Sequence, residues 1–302
     1  MNQSSGEPGF DLRARLDLAA AALLFSTGGA AIKLADANGW QVAGLRSLVA
    51  AALLWLVLPR ARGPWSYGIL AVATSYAGTL IAFVLSTKAT TAANAIFLQS
   101  TAPLYVLALS PFLLREQIRA ADGWIAALFG FGLIAIMWGQ YEPQASAPDP
   151  TLGNGLGALS GLLWGSTLMG LRWLTRNPSE PGGDATRAVI AGNVITFAVC
   201  APMMASGAAD MSYRDLGIIV GLGVFQVAMP YAFLTRGIAR VPAFSASLII
   251  LIEPALNPIW SWLVHKETVE IAAIVGGIVI LTATLAKSAN ERRRIKDARN
   301  NE

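Results

Sequence analysis

The feature that most restricts this chain is a succession of apolar runs, each close to the roughly 20 residues that cross a hydrocarbon layer as a helix. Ten are read, at residues 16–36, 41–58, 65–87, 91–113, 122–139, 152–174, 185–206, 214–235, 242–264 and 269–287. Lipid offers no water to satisfy backbone N–H and C=O groups, so a crossing segment must close its hydrogen bonds internally. The expected fold is therefore an all-α polytopic membrane protein with ten transmembrane helices. Composition agrees, since 13% of the 302 residues are charged, about half the share of a soluble domain. Links between runs are short, as in LPRARGP and KETVE, and the polar start MNQSSGEPGFDLRARLD enters a full-length span, so no cleavable signal peptide is expected.

Charge placement sets an orientation. With the N-terminus cytoplasmic, 17 Lys and Arg residues fall on cytoplasmic segments, against four (Lys33, Lys88, Arg214 and Lys266) on the other side. Lys and Arg favour the cytoplasmic face, so both termini are expected there. The basic tail KSANERRRIKDARNNE reads as a topology anchor, with no nucleic-acid partner. Arg46 falls inside the second run and is expected to snorkel to its periplasmic end.

Several chemistries are excluded. The single cysteine, Cys200, forms no intrachain disulfide, and the single histidine, His265, builds no histidine metal cluster. The stretch GNGLGALSG follows no strand and lacks GK[ST], which rules out an ATP-driven pump within this chain. No catalytic residue, cofactor or metal is expected. Gly153, Gly157, Gly161 and Gly165, spaced by four, read as a surface for close helix packing. Trp40, Trp65, Trp124, Trp138 and Tyr213 lie near span ends and read as an interfacial belt.

The runs repeat. ANAIFLQSTAPLYVLALSPFLLREQI in the fourth and FSASLIILIEPALNPIWSWLVHKETV in the ninth place Pro103 on Pro254 and Glu116 on Glu267 at an offset of 151. LLFST and LLWGS match at 139, pairing Phe25 with Trp164 and Lys33 with Arg172, and Arg46 pairs with Arg187 at 141. The chain thus reads as a tail 1–15, a five-helix repeat 16–139, a periplasmic linker 140–151, a second repeat 152–287 and a basic tail 288–302. Five is odd, so the second copy enters the membrane upside down. Inverted repeats mark transporters, with the substrate site near the midplane between the halves.

Two five-helix copies, each with Pro in its fourth helix and a basic–Glu pair before the fifth, resemble the drug/metabolite transporter superfamily, EamA type. Its Glu-Pro pair stands as Glu253-Pro254 in the second copy and as Ala102-Pro103 in the first. The resemblance implies a multi-pass protein of the bacterial inner membrane that exports small metabolites. Bacterial aromatic amino-acid exporters are one branch it is similar to.

The stretch LIILIEPALNPIW carries an acid, two prolines and an asparagine within an apolar run. An ionised side chain at mid-bilayer costs about 3 kcal/mol on insertion scales, so it belongs in the bundle interior or a wet cavity. Glu253, Asn257 and Trp260 share one helix face and are read as pathway residues, although a structural latch or a proton-coupling acid fits the same pattern. Pro254 and Pro258 are read as hinges, as are Pro103 and Pro230. Tyr76, Leu80 and Phe83 in the third span answer Gln226, Pro230 and Phe233 in the eighth, with Tyr231 alongside. Asn94, Gln99 and Trp164 complete the candidate pathway.

The functional expectation is a secondary transporter or exporter of small metabolites, amino acids including aromatic ones foremost, working by alternating access around a central cavity. A channel-like facilitator, an exporter of a nucleoside or drug, and an intramembrane enzyme or scaffold are the alternatives. The partners expected are the bilayer and a small-molecule substrate, with the chain a monomer or weak oligomer.

Overall fold

The structure, a computed structural model, describes residues 11–116, 147–176, 183–204 and 211–265 and a few single positions beyond them. Most of the fifth and tenth spans, of the N-terminal and C-terminal tails and of the 140–151 linker lies outside the described residues, as do Trp138, Lys266 and Glu267. The elements are α1 (Leu12–Phe25), α2 (Gly28–Leu34), α3 (Gly39–Val57), α4 (Tyr67–Ala89), α5 (Ala92–Gln99) and α6 (Ala102–Leu113) in the first half. In the second half they are α7 (Pro150–Thr175), α8 (Gly183–Met204), α9 (Tyr213–Gly221), a π-helical turn (Leu222–Ala228), α10 (Met229–Ile238), α11 (Ala243–Ile250) and α12 (Ile252–His265).

Eight of the ten expected spans are thus seen as helix, each within a few residues of its expected limits. Among the described residues, six segments are long and apolar enough to cross a membrane, namely α1–α2, α3, α4, α5–α6, α8 and α9–α10. α7 reaches 26 residues but is rich in glycine, and α11 with the start of α12 forms a shorter apolar stretch. Helix starts follow short polar side chains that accept an exposed backbone N–H. Asp11 accepts from Ala14, Ser66 from Ile69, Thr91 from Asn94 and Asp149 from Leu152. Asn38 with Gln41 and Ser212 with Asp215 close reciprocal capping boxes.

Two spans are broken where serine and threonine stand side by side. Ser26 and Thr27 between α1 and α2 donate their hydroxyls to Leu23 O and Leu24 O. Ser100 and Thr101 between α5 and α6 do the same to Ile96 O and Leu98 O. Hydroxyls that bond back to the preceding turn bend helices, and here they satisfy carbonyls released at the breaks. The fourth and ninth spans break at equivalent places. Shifting α5 by 151 residues lays it on α11 end to end, and Ser100 falls on Leu251.

The halves pack as an internal two-fold. α4 against α7 is answered by α10 against α1, and α4 against α8 by the π turn against α3. α3 against α8, the second spans of the two halves, lies on the axis. Self-complementary pairing of this kind is what two-fold symmetry requires of an interface. One hydrophobic core accordingly draws on both halves, from Leu18, Ile69 and Tyr76 to Leu168, Leu234 and Ile249. The outer surface keeps large apolar side chains exposed, such as Leu56, Phe112 and Val199, as lipid contact demands. Trp65, Trp124 and Tyr213 are also on that surface, whereas Trp40 is half-buried against the core.

The glycine row of α7 fits against the break in the fourth span. A Cβ on Gly161 would stand 2.5 Å from Thr101 Oγ1 and 2.6 Å from Leu98 O, and one on Gly165 3.0 Å from Ala102 O. Only hydrogen-sized side chains let two backbones approach this closely.

Candidate functional site

Three prolines prepare the site. Proline lacks an N–H, and its ring presses on the carbonyl four residues earlier, so a helix opens at that point. Four residues before Pro103, Pro230 and Pro254 stand Gln99, Gln226 and Ile250. α5 ends at Gln99, α11 ends at Ile250, and Gln226 lies within the π-helical turn. Such single π turns recur at functional positions because they re-aim a side chain. Gln99 and Gln226 both end up facing one cavity between the halves.

That cavity holds about 340 Å³ of unfilled space, its mouth included. One wall is aromatic. Phe25 and Trp164, equivalent residues of the two repeats, meet edge to face with ring centroids 6.0 Å apart. Tyr231 packs edgewise on both, at 5.0 Å from Phe25 and 6.0 Å from Trp164. Behind Tyr231 lies Tyr76, 4.7 Å away, whose hydroxyl accepts a 2.9 Å hydrogen bond from Asn193 Nδ2. Each such pair contributes about 0.5–1.5 kcal/mol beyond area burial, so the wall is rigid before any solute arrives. Leu80 and Phe83 supply further apolar surface from α4, and a second space of about 250 Å³ continues past Gln99 and Glu253 towards Ser247 and Pro254.

The polar lining is sparse. Arg46 is 0% exposed and faces the cavity, which corrects the expectation that it snorkels to the periplasmic end. α3 packs against α8 and the π turn, which encloses the guanidinium. Arg46 Nη1 donates to Gln226 Oε1 at 2.6 Å, while Nε and Nη2 have no hydrogen-bond partner among the described residues. Gln226 is fitted closely beside Gly28, where a Cβ would stand 2.6 Å from its Nε2. Glu253, 6% exposed, opens into the same space from the first turn of α12. A helix N-terminus favours negative charge there. No hydrogen bond or ion pair joins the Glu253 carboxyl to any described residue.

The candidate residues read from sequence divide into two groups. Leu80, Phe83, Gln99, Trp164, Gln226, Tyr231 and Glu253 line one cavity, with Tyr76 immediately behind it. Asn94 lies more than a turn away, its Nδ2 3.4 Å from Thr90 Oγ1. Asn257 is buried where a Cβ on Gly29 would stand 2.9 Å from its Oδ1. Trp260 donates its indole N–H to Ser26 Oγ at 2.8 Å, tying the ninth span to the break in the first. Phe233 is half-buried beneath the Arg236 guanidinium, 4.9 Å from its ring centroid. Pro103, Pro230 and Pro254 sit at helix starts, and the Pro258 side chain lies outside the described residues. Arg46 and Thr79 were missed as cavity residues, although a lone arginine within an apolar run is itself a signal.

Hydrogen bonds tie spans together at both ends of the bundle. At one end Glu116 accepts from Arg172 Nε at 3.2 Å, from Arg176 Nη2 at 2.7 Å and from the Ala243 N–H at 2.9 Å. Arg172 also donates to Ile238 O and Ala239 O at the loop after α10. Its repeat mate Lys33 donates to Thr90 O, just past α4, at the other end.

The sequence matches the EamA-like transporter family over residues 16–138 and 151–287, nearly the whole of both halves. The chain belongs to the EamA-like transporter family. Among curated EamA-like relatives, the pseudopaline exporter CntI of Pseudomonas aeruginosa strain UCBPP-PA14 is 23% identical over 205 residues, covering 66% of this chain and 67% of the relative. CntI of strain PAO1 is 22% identical over the same length. A crystal structure 17% identical in sequence aligns with a TM-score of 0.69, covering 93% of this chain and 98% of that one, which shows the shared fold. This EamA-like protein is accordingly a multi-pass membrane transporter built from two repeats.

Proposed function

We propose that this EamA-like transporter exports small amphipathic metabolites, with amino acids that include aromatic ones as the principal class, by alternating access. The residues assigned to the pathway are those that share the central cavity, with Pro103, Pro230, Pro254 and Pro258 as hinge points. The observation that carries the reading is the cavity itself. An aromatic wall of Phe25, Trp164 and Tyr231, each ring from a different span, stands beside a few polar groups on the axis that relates the two halves. Sites for small molecules are built this way, apolar surface giving affinity and few polar groups giving orientation.

Three of the spans that border the cavity are broken beside it, so local rotation at Ser26–Thr27, Ser100–Thr101 and Leu251 re-aims Phe25, Gln99 and Glu253 without unfolding a span. The ties at the two ends act as gates released in turn. Export is the direction that the named activity of the relative CntI favours. The cation distribution favours an inner-membrane orientation with both termini cytoplasmic.

Counterflow in proteoliposomes with labelled amino acids and nucleosides is the test. Saturable, trans-stimulated exchange of amino acids is expected. Flux that neither saturates nor responds to trans substrate would make the protein a channel, and exchange of nucleosides alone would reject the substrate class.

A further inference from the structure

We propose that Arg46 and Glu253 hold the two ends of a zwitterion. The guanidinium takes the carboxylate of an α-amino acid and the Glu253 carboxylate takes its ammonium group. The assignment rests on the transport reading above and narrows it to solutes that carry both charges at once.

Arg46 is wholly buried, and its one hydrogen bond among the described residues, to Gln226, leaves Nε and Nη2 without a partner there. Guanidinium presents five N–H donors in a planar fork that matches a carboxylate with two parallel bonds. A buried charge left without a partner is expensive, and evolution rarely places one where nothing will meet it. The Gln226 contact, anchored by the close fit at Gly28, holds the fork in place without neutralising it. Glu253 poses the complementary problem, since its carboxyl is buried, is joined to no described residue and faces the same space. The π-helical turn carries Gln226 and hence the register of Arg46, while the proline-broken ninth span carries Glu253.

Charge balance then selects the ligand. A neutral solute leaves both protein charges unpaired, and a simple cation or anion answers one of them. A zwitterion answers both, so each buried charge gains a partner of opposite sign. Beside the two charged groups, Phe25, Trp164 and Tyr231 supply the apolar wall for a side chain.

The test uses the full-length protein in proteoliposomes, with phenylalanine, phenylalanine amide and N-acetylphenylalanine competing against counterflow of labelled phenylalanine. The amide lacks the carboxylate and the N-acetyl compound lacks the ammonium group. Each derivative is expected to compete at least about tenfold more weakly, the loss of one charge-assisted contact. Arg46→Gln should weaken phenylalanine but not its amide, and Glu253→Gln should weaken phenylalanine but spare the N-acetyl compound. If amino acids exchange and the wild type accepts all three ligands equally, the zwitterion assignment falls while the transport reading stands. Equal loss towards all three ligands in both variants also overturns it, as purely structural roles predict. If no amino acid exchanges while another solute class does, the substrate class itself is wrong.

Discussion

Replacing Gly161 with alanine adds one methyl group at a close backbone approach between the halves. The new Cβ would stand 2.5 Å from Thr101 Oγ1, 2.6 Å from Leu98 O and 3.3 Å from Gln99 O. The Thr101 hydroxyl is engaged with Leu98 O, and the other two atoms are backbone, so none yields by simple rotation. Relief to an ordinary contact requires α7 and the fourth span to separate by about 0.8 Å. A gap of that size forfeits a quarter to a half of the dispersion energy along the seam. Overpacking of this kind costs about 1–3 kcal/mol. Gly155, on the same helix with open space around it, is the control, because alanine there gains up to about 1 kcal/mol of helix propensity. Thermal unfolding of the purified protein in detergent should fall by several degrees for Gly161→Ala and hold or rise for Gly155→Ala. A fall of equal size in both, or none in Gly161→Ala, would refute the close-approach account of the glycine row.

Four further outcomes are expected. Trp260→Phe removes the indole bond to Ser26 Oγ and should cost about 0.5–1.5 kcal/mol. A double-mutant cycle with Ser26→Ala in thermal unfolding should show that the two losses are not additive. Glu116→Gln removes the negative charge that pairs with the half-exposed Arg176 and the buried Arg172; melting should drop, and a cysteine placed near the cytoplasmic mouth should label faster. Asp11 is held below the usual carboxylate range by the Ala14 N–H first and then by Arg240, so its cap on the first span is present near neutrality and lost as pH falls through that lowered value. Amide exchange at Ala14 should accelerate only in acid. Topology is read by single cysteines in a Cys200→Ala background: Asp36→Cys and Arg214→Cys should react with an impermeant maleimide in whole cells, whereas Arg62→Cys and Arg236→Cys should react only after lysis.

Transport by Glu253→Gln across pH separates the roles open to this acid. Unchanged pH dependence would remove proton coupling and leave Glu253 as a ligand-facing charge. A flattened profile would make it the titrating group.

Much of this protein was fixed by local chemistry. Apolar length and the need to satisfy backbone groups in lipid determine helices, and short polar side chains such as Asn38, Ser66 and Ser212 mark where they start. Proline marks places where a helix can open four residues upstream, as it does at Gln99, Gln226 and Ile250, whereas Pro111 and Pro202 sit inside continuous helices, so packing decides which prolines break a span. The repeat, visible in residue offsets, determines the two-fold pairing of the spans. What periodicity could not decide is which side of a uniformly apolar helix faces inward. α3 and α4 carry almost no polar asymmetry, so the burial of Arg46 and the placing of Thr79 on the cavity emerge only when α8 and the π turn close over them. Likewise Asn94, Asn257 and Phe233 sit at credible spacings, yet the folded chain places them beside Thr90, Gly29 and Arg236 respectively. Side-chain direction in a bundle is a property of neighbours, and neighbours exist only in the folded chain.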